Sequence, residues 1–349
     1  MEELSRMTLE EIAAEIGISR TTIYKVLRNK GHVSDKTRRI VNEALEKYHY
    51  VQNRNARNLA MNRQYNIGYI GFKSKSANYF STEVNKGIRR AVKEFADDGL
   101  SLLVSEFDVE NPKGQQEAVD EMLALGVESF VLAYAHEEVM SGILSKLREK
   151  ECRIVLLSRD FPEDTACSYV GVDYEKSGRL AAELLLKMLP ADGEVLVPVT
   201  KEYETNQDIA ARLKGFEDKM KEEGRVKVLP IIHGLLEEED IYRQISGHLK
   251  EREQLSGIFD LTYRLDVIAS ALKDLKRTDV KLVGFDLFEE IREYVEDSTI
   301  DAVVYQDLNQ QAYQAVKLLF DEMCYGKKKS SQKHYAKLEV IMKENIQYF

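Results

Sequence analysis

The first fifty residues carry apolar side chains at the three- and four-residue spacing of amphipathic helices. Leu9, Ile12 and Ala13 form one stripe and predict a first helix. Thr8 is the expected N-cap of this helix, with Glu11 as its capping-box partner. The chain therefore opens on a short helix with a defined start.

A glycine and two serines delimit two further helices. Gly17 lies where a tight turn between helices needs a residue tolerant of positive φ. Ser19 is the expected cap of the helix RTTIYKVL, and Ser34 is that of DKTRRIVNEALEKYHY. The apolar residues that these helices turn inward are Ile23, Val26, Leu27, Ile40, Val41, Ala44, Leu45 and Tyr48. Three short helices with this turn spacing predict a helix-turn-helix unit.

From residue 66 onward, short apolar strands alternate with amphipathic helices. The predicted strands read NIGYIGF, LSLLVSE, ESFVLAY, CRIVLLS, SYVGV, GEVLVPV, VKVLPII, SGIFD, VKLVGFD and DAVVYQD. The tail HYAKLEVIMKENIQYF predicts a final strand and an irregular end. Such alternation predicts an α/β fold of doubly wound parallel sheets. About 12 strands are too many for one open sheet of common size, so we expect two lobes.

The composition is that of a globular chain with more than one domain. The 349 residues are 44% hydrophobic and 32% charged. No stretch approaches 18 apolar residues, and the N-terminus MEELSRMTLEE lacks an apolar signal region, so we expect no membrane span and a cytoplasmic location. The three cysteines lack metal-ligand spacing and are expected to be buried thiols.

Charge is distributed unevenly along a chain whose net charge is −10. Residues 1–65 hold 12 Lys and Arg against 8 Asp and Glu, whereas the remainder holds 38 against 52. Within residues 16–65, 11 basic residues stand against three acidic ones. A basic head on an acidic body is the pattern of a module that binds nucleic-acid phosphates.

The second helix of a helix-turn-helix enters the major groove, where its first residues reach base edges. Arg and Lys can donate to guanine there, and Thr can contact the thymine methyl group. The side chains of this helix that we expect to contact DNA are Arg20, Thr21, Thr22, Tyr24, Lys25 and Arg28. The expected phosphate contacts are Ser19, Ser34, Thr37 and Arg38, and Thr8 is a further candidate. The alternative is a charged helical bundle without a partner.

The longer pattern of residues 8–60 resembles the head of the lactose-repressor (LacI) family nearly position by position. The matches are T-x-x-x-[IV]-A before the turn, G-[IV]-S-x-x-T-[IV] across it, V-S-x-x-T-R at the third helix, and Y-x-x-N-R-x-A-R-x-L-A at the end. Tyr24-Lys25 replaces the usual Ser-Arg, which leaves the operator half-site open. Gln52 replaces the usual proline at the start of the linker.

The linker NRNARNLA, residues 53–60, is too short to be a stable helix alone. In the LacI family the similar segment is a hinge helix that orders on DNA and inserts a leucine into the minor groove. By this resemblance Leu59 is the wedge that bends DNA, with Ala56 beside it and Arg57 facing the DNA backbone. Asn53 and Arg54 complete the expected contacts. The alternative is that Leu59 packs on the following domain.

Polar residues at the carboxyl ends of strands mark the candidate ligand site, because ligands of doubly wound sheets bind there. These residues are Ser158, Arg159, Asp160, Asp173, Asp286, Gln306 and Asp307, with Asn78, Tyr79 and Phe80 in an expected loop after the first strand. Arg212 lies in the helix AARLKGF. For Asp173 and Asp307, capping of the following helix is the alternative.

Residues 66–349 resemble the periplasmic-binding-protein-like sensor domains of the same family. The matches are N-x-[FY]-[FY]/S near Asn78, the S-R-D turn, V-G-V-D-Y, R-L-x-G-F, V-G-F-D and V-x-Q-D. The resemblance implies a hinged pair of lobes that closes on a small molecule, often a sugar. A nucleobase or another metabolite stays open as the effector.

The same resemblance assigns roles to single residues. Arg212 and Asp286 would bind ligand hydroxyls from one lobe, Gln306 from the crossover, and Arg159 from the other lobe. Tyr79 or Phe80 would stack on a sugar ring. The segment FDLTYR replaces the family's usual Asn-Asp, so Asp260, Thr262 and Tyr263 are expected to serve instead.

These patterns give an expected domain plan. The helix-turn-helix occupies residues 1–51, and the hinge helix with its linker occupies 52–65. The N-terminal lobe spans 66–173 and 307–334, and the C-terminal lobe spans 174–306 and 335–349. We expect a homodimer on a palindromic double-stranded DNA operator, because one head reads only a half-site.

Two other classes of protein compete with this interpretation. An enzyme on the same scaffold would need a chemical motif, yet the sequence has no Gly-rich phosphate loop, zinc motif or G-x-S-x-G elbow, and its six histidines are scattered. We therefore expect no catalytic residues, no cofactor and no metal. A transport-type binding protein would have a signal peptide and would lack the helix-turn-helix.

Overall fold

The computed structural model describes residues 7, 9–27, 33–48, 64–73, 78–109, 111–133, 136–161, 167–200, 206–235, 237–326 and 332–349, with the side chains of residues 78 and 137 excepted. These residues belong to two compact units, of which the first contains the N-terminal helices and the second the strands. The helices of the first unit are α1 (Leu9–Glu15), α2 (Arg20–Leu27) and α3 (Asp35–Lys47).

The three helices of the first unit enclose a small apolar core. Ile12, Ile23 and Val41 are fully buried in it, one from each helix. Gly17, in the turn between α1 and α2, has a φ of +64°, as the turn spacing predicts. Ile40 was expected to face inward but is 38% exposed, because its neighbour Val41 occupies the buried position of α3.

The second unit alternates strands and helices along its whole length. Its strands are β1 (Tyr65–Lys73), β2 (Leu100–Asp108), β3 (Ser129–Leu132), β4 (Arg153–Leu157), β5 (Ser168–Gly171), β6 (Glu194–Leu196), β7 (Pro198–Thr200), β8 (Lys227–Val228), β9 (Ile232–Leu235), β10 (Leu255–Phe259), β11 (Lys281–Phe285), β12 (Ala302–Tyr305), β13 (Lys333–Tyr335) and β14 (Glu339–Ile341). Its helices are α4 (Asn78–Phe95), α5 (Pro112–Ala124), α6 (Glu137–Glu149), α7 (Tyr174–Met188), α8 (Gln207–Glu223), α9 (Glu238–Glu251), α10 (Leu265–Asp274), α11 (Glu289–Glu296) and α12 (Leu308–Tyr325). Short 3₁₀ turns occupy Ala96–Asp98 and Ile346–Tyr348.

The strands form two six-stranded sheets, so the α/β fold with two lobes is confirmed. The first sheet has the order β13-β5-β4-β3-β1-β2, and all of its strands are parallel. The second has the order β14-β12-β11-β10-β6-β8, in which only the β12–β14 pairing is antiparallel. Apolar clusters lie on both faces of each sheet, as helices packed on both sides require.

Several details of the second unit differ from the sequence prediction. The single strand expected at GEVLVPV is divided into β6 and β7, and the single strand expected in the tail is matched by β13 and β14. Asn78, Tyr79 and Phe80 form the first turn of α4 and not a loop. The single strand expected at VKVLPII is divided into β8 and β9 around Pro230, which has no N–H to donate to a sheet. β9 pairs instead with β7 in a separate two-stranded sheet.

The chain passes between the two sheets three times. It leaves the first sheet after β5, returns to it after β12 through α12, and crosses again between β13 and β14. Tyr335 pairs with Gly171 in the first sheet, one residue beyond the lobe boundary expected from the sequence. The carboxyl ends of β5 and β12 therefore lie where the two lobes join.

Candidate functional site

The outward face of α2 carries the expected base-reading side chains. Arg20 contacts two side chains of its own unit. Its Nη1 lies 3.5 Å from Glu10 Oε1, and its Nη2 lies 3.5 Å from the Tyr24 hydroxyl. Lys25 is exposed and makes no hydrogen bond or ion pair with any residue that the structure describes. Lys25 is thus available to a partner without first breaking a contact, whereas Arg20 is not.

Two hydroxyl groups that were expected to contact phosphates, those of Ser19 and Ser34, also cap helices. The Thr22 amide donates to Ser19 Oγ over 3.2 Å at the start of α2, and the Thr37 amide donates to Ser34 Oγ over 3.2 Å at the start of α3. In each pair the two hydroxyl oxygens lie within 2.9 Å. Thr21 lies on α2 and Arg38 on α3. The candidates that lie outside the described residues are Thr8, Arg28, Asn53, Arg54, Ala56, Arg57 and Leu59.

Arg212 lies at the centre of the candidate ligand site. It is only 2% exposed, and its guanidinium carbon lies 3.9 Å from the ring centre of Phe285 and 4.9 Å from that of Tyr174. Within the described part of the chain, Nε of Arg212 is buried without a hydrogen-bond partner. A buried guanidinium with an unused donor is costly unless something else accepts from it.

Two glycines bring the Arg212 backbone close to α7. A Cβ on Gly178 of α7 would lie 1.8 Å from the Arg212 carbonyl oxygen, and a Cβ on Gly215 of α8 would lie 2.0 Å from the Glu175 carbonyl oxygen. The two helices can approach this closely only because both residues lack a side chain. The pair of glycines therefore fixes where Arg212 enters the site.

Asp286 and Gln306 lie beside Arg212 at the ends of β11 and β12. Gln306 Nε2 donates to Asp286 Oδ2 over 2.9 Å. Burial raises the pKa of Asp286 above its ordinary value, against the opposing effects of the Arg212 charge and the Gln306 hydrogen bond. Asp286 Oδ1 and Gln306 Oε1 are buried and accept from none of the residues that the structure describes.

Asp260 and Thr262 lie at the end of the neighbouring strand β10, where they bond to each other. Asp260 Oδ1 accepts from the Thr262 amide over 2.7 Å and from its hydroxyl over 2.6 Å. Burial raises the pKa of Asp260 to about 6, although both hydrogen bonds from Thr262 act to lower it. Both residues are thus placed at the predicted end of the strand.

The two aromatic candidates of α4 have different surroundings. Tyr79 of the first lobe lies against Phe288 of the second, with ring centres 5.9 Å apart. Phe80 stacks on Phe72 within the first lobe, with ring centres 5.1 Å apart and planes 8° from parallel. Tyr79 therefore reaches the other lobe, and Phe80 is held in its own.

Arg159, which follows β4, is paired across the lobes. Its Nε lies 2.9 Å from Oδ2 of Asp208, in the first turn of α8. Asp208 precedes Arg212 by four residues, which places the two on one face of the helix. Sequence reasoning missed Asp208, Tyr174 and Phe285, although the four-residue spacing from Arg212 was visible for Asp208.

Asp173 and Asp307 act as helix caps. Asp173 Oδ1 accepts from the Lys176 amide over 2.9 Å, and Asp307 Oδ1 accepts from the Gln310 amide over 2.9 Å. The capping interpretation therefore accounts for both residues. Within the described ranges, no group of three or more His, Cys, Asp or Glu could hold a metal ion, and no helix is long and apolar enough to cross a membrane.

Two family models match this chain. Residues 67–328 match the periplasmic binding protein domain, and residues 8–53 match the bacterial regulatory proteins of the lacI family. The HTH-type transcriptional regulator DegA of Bacillus subtilis is 26% identical over 300 residues, which cover 80% of this chain and 82% of DegA. The probable HTH-type transcriptional repressor ExuR of the same organism is 24% identical over 173 residues, and this alignment spans 49% of each chain.

Similarity also extends to proteins named for sugar binding. A D-ribose/D-allose-binding protein of Pseudomonas aeruginosa is 25% identical over 244 residues, which cover 68% of this chain and 76% of that protein. The crystal structure of a periplasmic ribose ABC transporter from Conexibacter woesei covers 82% of this chain and 94% of its own, with a TM-score of 0.72 and 17% identity. The structural likeness concerns the fold of the second unit.

Proposed function

This chain belongs to the lacI family of bacterial regulatory proteins, which are DNA-binding transcriptional regulators, and we propose that it is a repressor controlled by a sugar bound between its lobes. The proposal has two parts, a DNA-reading head and a ligand-binding body. The observation that carries the ligand part is a group of buried polar atoms that find no hydrogen-bond partner among the described residues: Arg212 Nε, Asp286 Oδ1 and Gln306 Oε1.

These three atoms require a ligand that both donates and accepts hydrogen bonds. Arg212 Nε needs an acceptor, whereas Asp286 Oδ1 and Gln306 Oε1 each need a donor. A hydroxyl group supplies both, and vicinal hydroxyls supply them at the short spacing that neighbouring side chains require. A sugar is also favoured over a nucleobase because one relative of this chain is named a D-ribose/D-allose-binding protein.

The DNA part rests on the first unit. Its second helix exposes Lys25 and Thr21, and the basic residues of the head would contact phosphates. One head reads only a half-site, so the proposed active form is a homodimer on a palindromic operator. A ligand can change operator affinity only if it binds two arrangements of the lobes unequally, and we place the coupling in residues 53–60.

Thermal unfolding of the full chain against a panel of sugars, nucleobases and other metabolites tests the ligand part. We expect a sugar to raise the unfolding temperature, because a ligand that binds only the folded state stabilises it. The Arg212→Gln variant should lose that shift. A shift produced by a nucleobase and by no sugar would contradict the proposal, as would an undiminished sugar shift in the variant. Operator selection with the same chain, with and without the active compound, tests the DNA part.

A further inference from the structure

We infer that Asp208 makes the ligand site selective for uncharged sugars, because it neutralises Arg159 and so denies that cation to an anionic ligand. The inference rests on the proposed function, and it names the class of sugar that this site accepts. The contact that carries it joins the two lobes. Arg159 Nε, beyond the end of β4, and Asp208 Oδ2, in the first turn of α8, are 2.9 Å apart.

This ion pair is largely shielded from water. The side chains of Arg159 and Asp208 are 19% and 15% exposed, so bulk solvent screens their charges only weakly. The Asp208 amide is itself held by Asn206 Oδ1 over 3.0 Å, which fixes the first turn of α8. The acidic side chain near a helix N-terminus is further stabilised there by the helix dipole. Asp208 is thus a fixed negative charge.

The pair lies beside the atoms that need a ligand. Asp208 and Arg212 are one helical turn apart on the same face of α8. The Tyr174 ring, which lies against Arg212, also donates its hydroxyl to the Ser158 carbonyl oxygen over 2.6 Å, next to Arg159 in the chain. A ligand that reaches Arg212 therefore lies close to Arg159 and Asp208.

The groups around the ligand position leave no net positive charge. Asp208 forms an ion pair with Arg159. The positive charge of Arg212 acts to lower the pKa of Asp286, so the Asp286 carboxylate lies close enough to offset that charge. Asp260, with a pKa of about 6, adds a further negative charge at neutral pH. A sugar carboxylate would lose its hydration in this site without gaining a cation to compensate, whereas hydroxyl groups meet no such penalty.

The test measures binding of matched pairs of sugars to the full chain by titration calorimetry. Each pair is an aldose and the uronate that carries a carboxylate in place of its terminal alcohol, for the pentose and hexose series. We expect the wild-type chain to bind the aldose more tightly. In Asp208→Asn the ratio of uronate to aldose affinity should rise by about tenfold or more, since Arg159 gains a carboxylate partner.

Three further variants separate this effect from others. Asp218→Asn removes one negative charge elsewhere on α8, where Asp218 pairs with Lys214, and should leave the ratio unchanged. The double variant Asp208→Asn with Arg159→Gln should return the ratio to the wild-type value. Arg159→Gln alone should lower the ratio, and it serves as an independent arm if Asp208→Asn does not fold.

The outcomes distinguish the inference from the function on which it rests. A wild-type chain that binds no aldose and no uronate contradicts the proposed function itself. A wild-type chain that binds an aldose, with a ratio unchanged by Asp208→Asn and by Arg159→Gln, overturns the inference alone. A wild-type preference for the uronate also overturns it.

Discussion

The Gln306 amide donates to Asp286 over 2.9 Å, and the remaining oxygen of each side chain is buried with no hydrogen-bond partner among the described residues. Asp286 also has a φ of +63°, in the left-handed region that non-glycine residues rarely occupy. Such local strain is typical of residues whose position serves binding. The two side chains therefore hold each other in place and leave two acceptors for a ligand.

Replacement of Asp286 by Asn should weaken ligand binding and spare DNA binding. The variant keeps the shape of the side chain but loses the charge, and a lost hydrogen bond to a charged group reduces affinity by about 10- to 100-fold. Titration calorimetry with the active sugar measures the change. Operator affinity without ligand should match that of the wild-type chain. A ligand affinity within a factor of two of wild type would show that Asp286 is structural.

The close approach of α7 and α8 predicts that a side chain at position 178 displaces Arg212. A methyl group at position 178 would lie 1.8 Å from the Arg212 carbonyl oxygen, so Gly178→Ala forces the helices apart. We expect the free energy of unfolding to fall by about 1–3 kcal/mol. Ligand affinity should also fall, because Arg212 moves with its backbone. Chemical denaturation and calorimetry measure the two quantities.

Gly247→Ala is the matched control for this substitution. Gly247 also lies inside a helix, α9, but a Cβ there would meet no atom within 4 Å. Its replacement should raise the free energy of unfolding by roughly 0.5–1 kcal/mol, since alanine is the better helix former. Equal destabilisation by the two variants would contradict the explanation by close packing.

The positions of the candidate ligand-site residues at strand ends could be predicted from the sequence, but their pairing could not. Asp286 and Gln306 follow apolar strands directly, and ligands of parallel sheets bind at such strand ends. The partner of Arg159 was missed because Asp208 belongs to the other lobe, 49 residues further along the chain. No local pattern encodes a contact of that kind. The choice between Tyr79 and Phe80 likewise depends on which ring reaches Phe288.

Helix faces in the head were predicted less well than helix positions. Caps at Ser19 and Ser34 define where α2 and α3 begin, and both hydrogen bonds are present. The adjacent apolar residues Ile40 and Val41 cannot both face the core of a three-helix unit, and periodicity alone did not decide between them. The packing of α3 buries Val41.

Leu59 is predicted to bend operator DNA by insertion into the minor groove. The motif NRNARNLA supports this role, although Leu59 lies outside the described residues. Leu59→Ala should reduce both the bend angle and operator affinity and leave ligand affinity intact. Electrophoretic mobility of DNA with permuted operator positions measures the bend. Leu125→Ala, which alters a leucine that is 69% exposed on the second unit, is the control and should bend DNA as wild type does.

Asp260 should make the free energy of unfolding depend on pH between 3.8, its pKa in the unfolded chain, and about 6, its pKa in the folded chain. Burial raises its pKa from 3.8 to about 6, so the folded chain binds more protons than the unfolded chain between these values. Acidification through this window therefore favours the folded state. At pH 7.5 Asp260→Asn should be the more stable protein by about 1–3 kcal/mol, and the difference should shrink toward pH 4. Urea denaturation at several pH values measures it.

The wild-type chain and Asp260→Asn share all their other titratable groups. The difference between their free energies of unfolding therefore reports the titration of Asp260. Thr262 can still donate to the amide oxygen of Asn at position 260, so the local turn should persist in the variant. A stability difference that is constant from pH 4 to pH 7.5 would contradict a raised pKa for Asp260.

Lys25 and Arg38 should affect DNA binding in different ways. Lys25 is exposed on α2 and makes no hydrogen bond or ion pair with the described residues, so in the major groove it can donate to a base edge. Lys25→Ala should change the preferred half-site by roughly 1–3 kcal/mol per lost base contact. Arg38, on α3, is expected to contact phosphate. Arg38→Ala should weaken binding to all sequences alike and reduce the slope of log affinity against log salt by about 1.

Sequence selection from a random DNA pool, followed by salt titration on the selected site, separates the two effects. Arg20 gives a further comparison, because it must leave Glu10 and Tyr24 before it reaches a base. Glu10→Ala should therefore strengthen operator binding without changing the preferred bases. If Lys25→Ala selects the same bases as the wild-type chain and Arg38→Ala selects different ones, then α2 is not the helix that reads the operator.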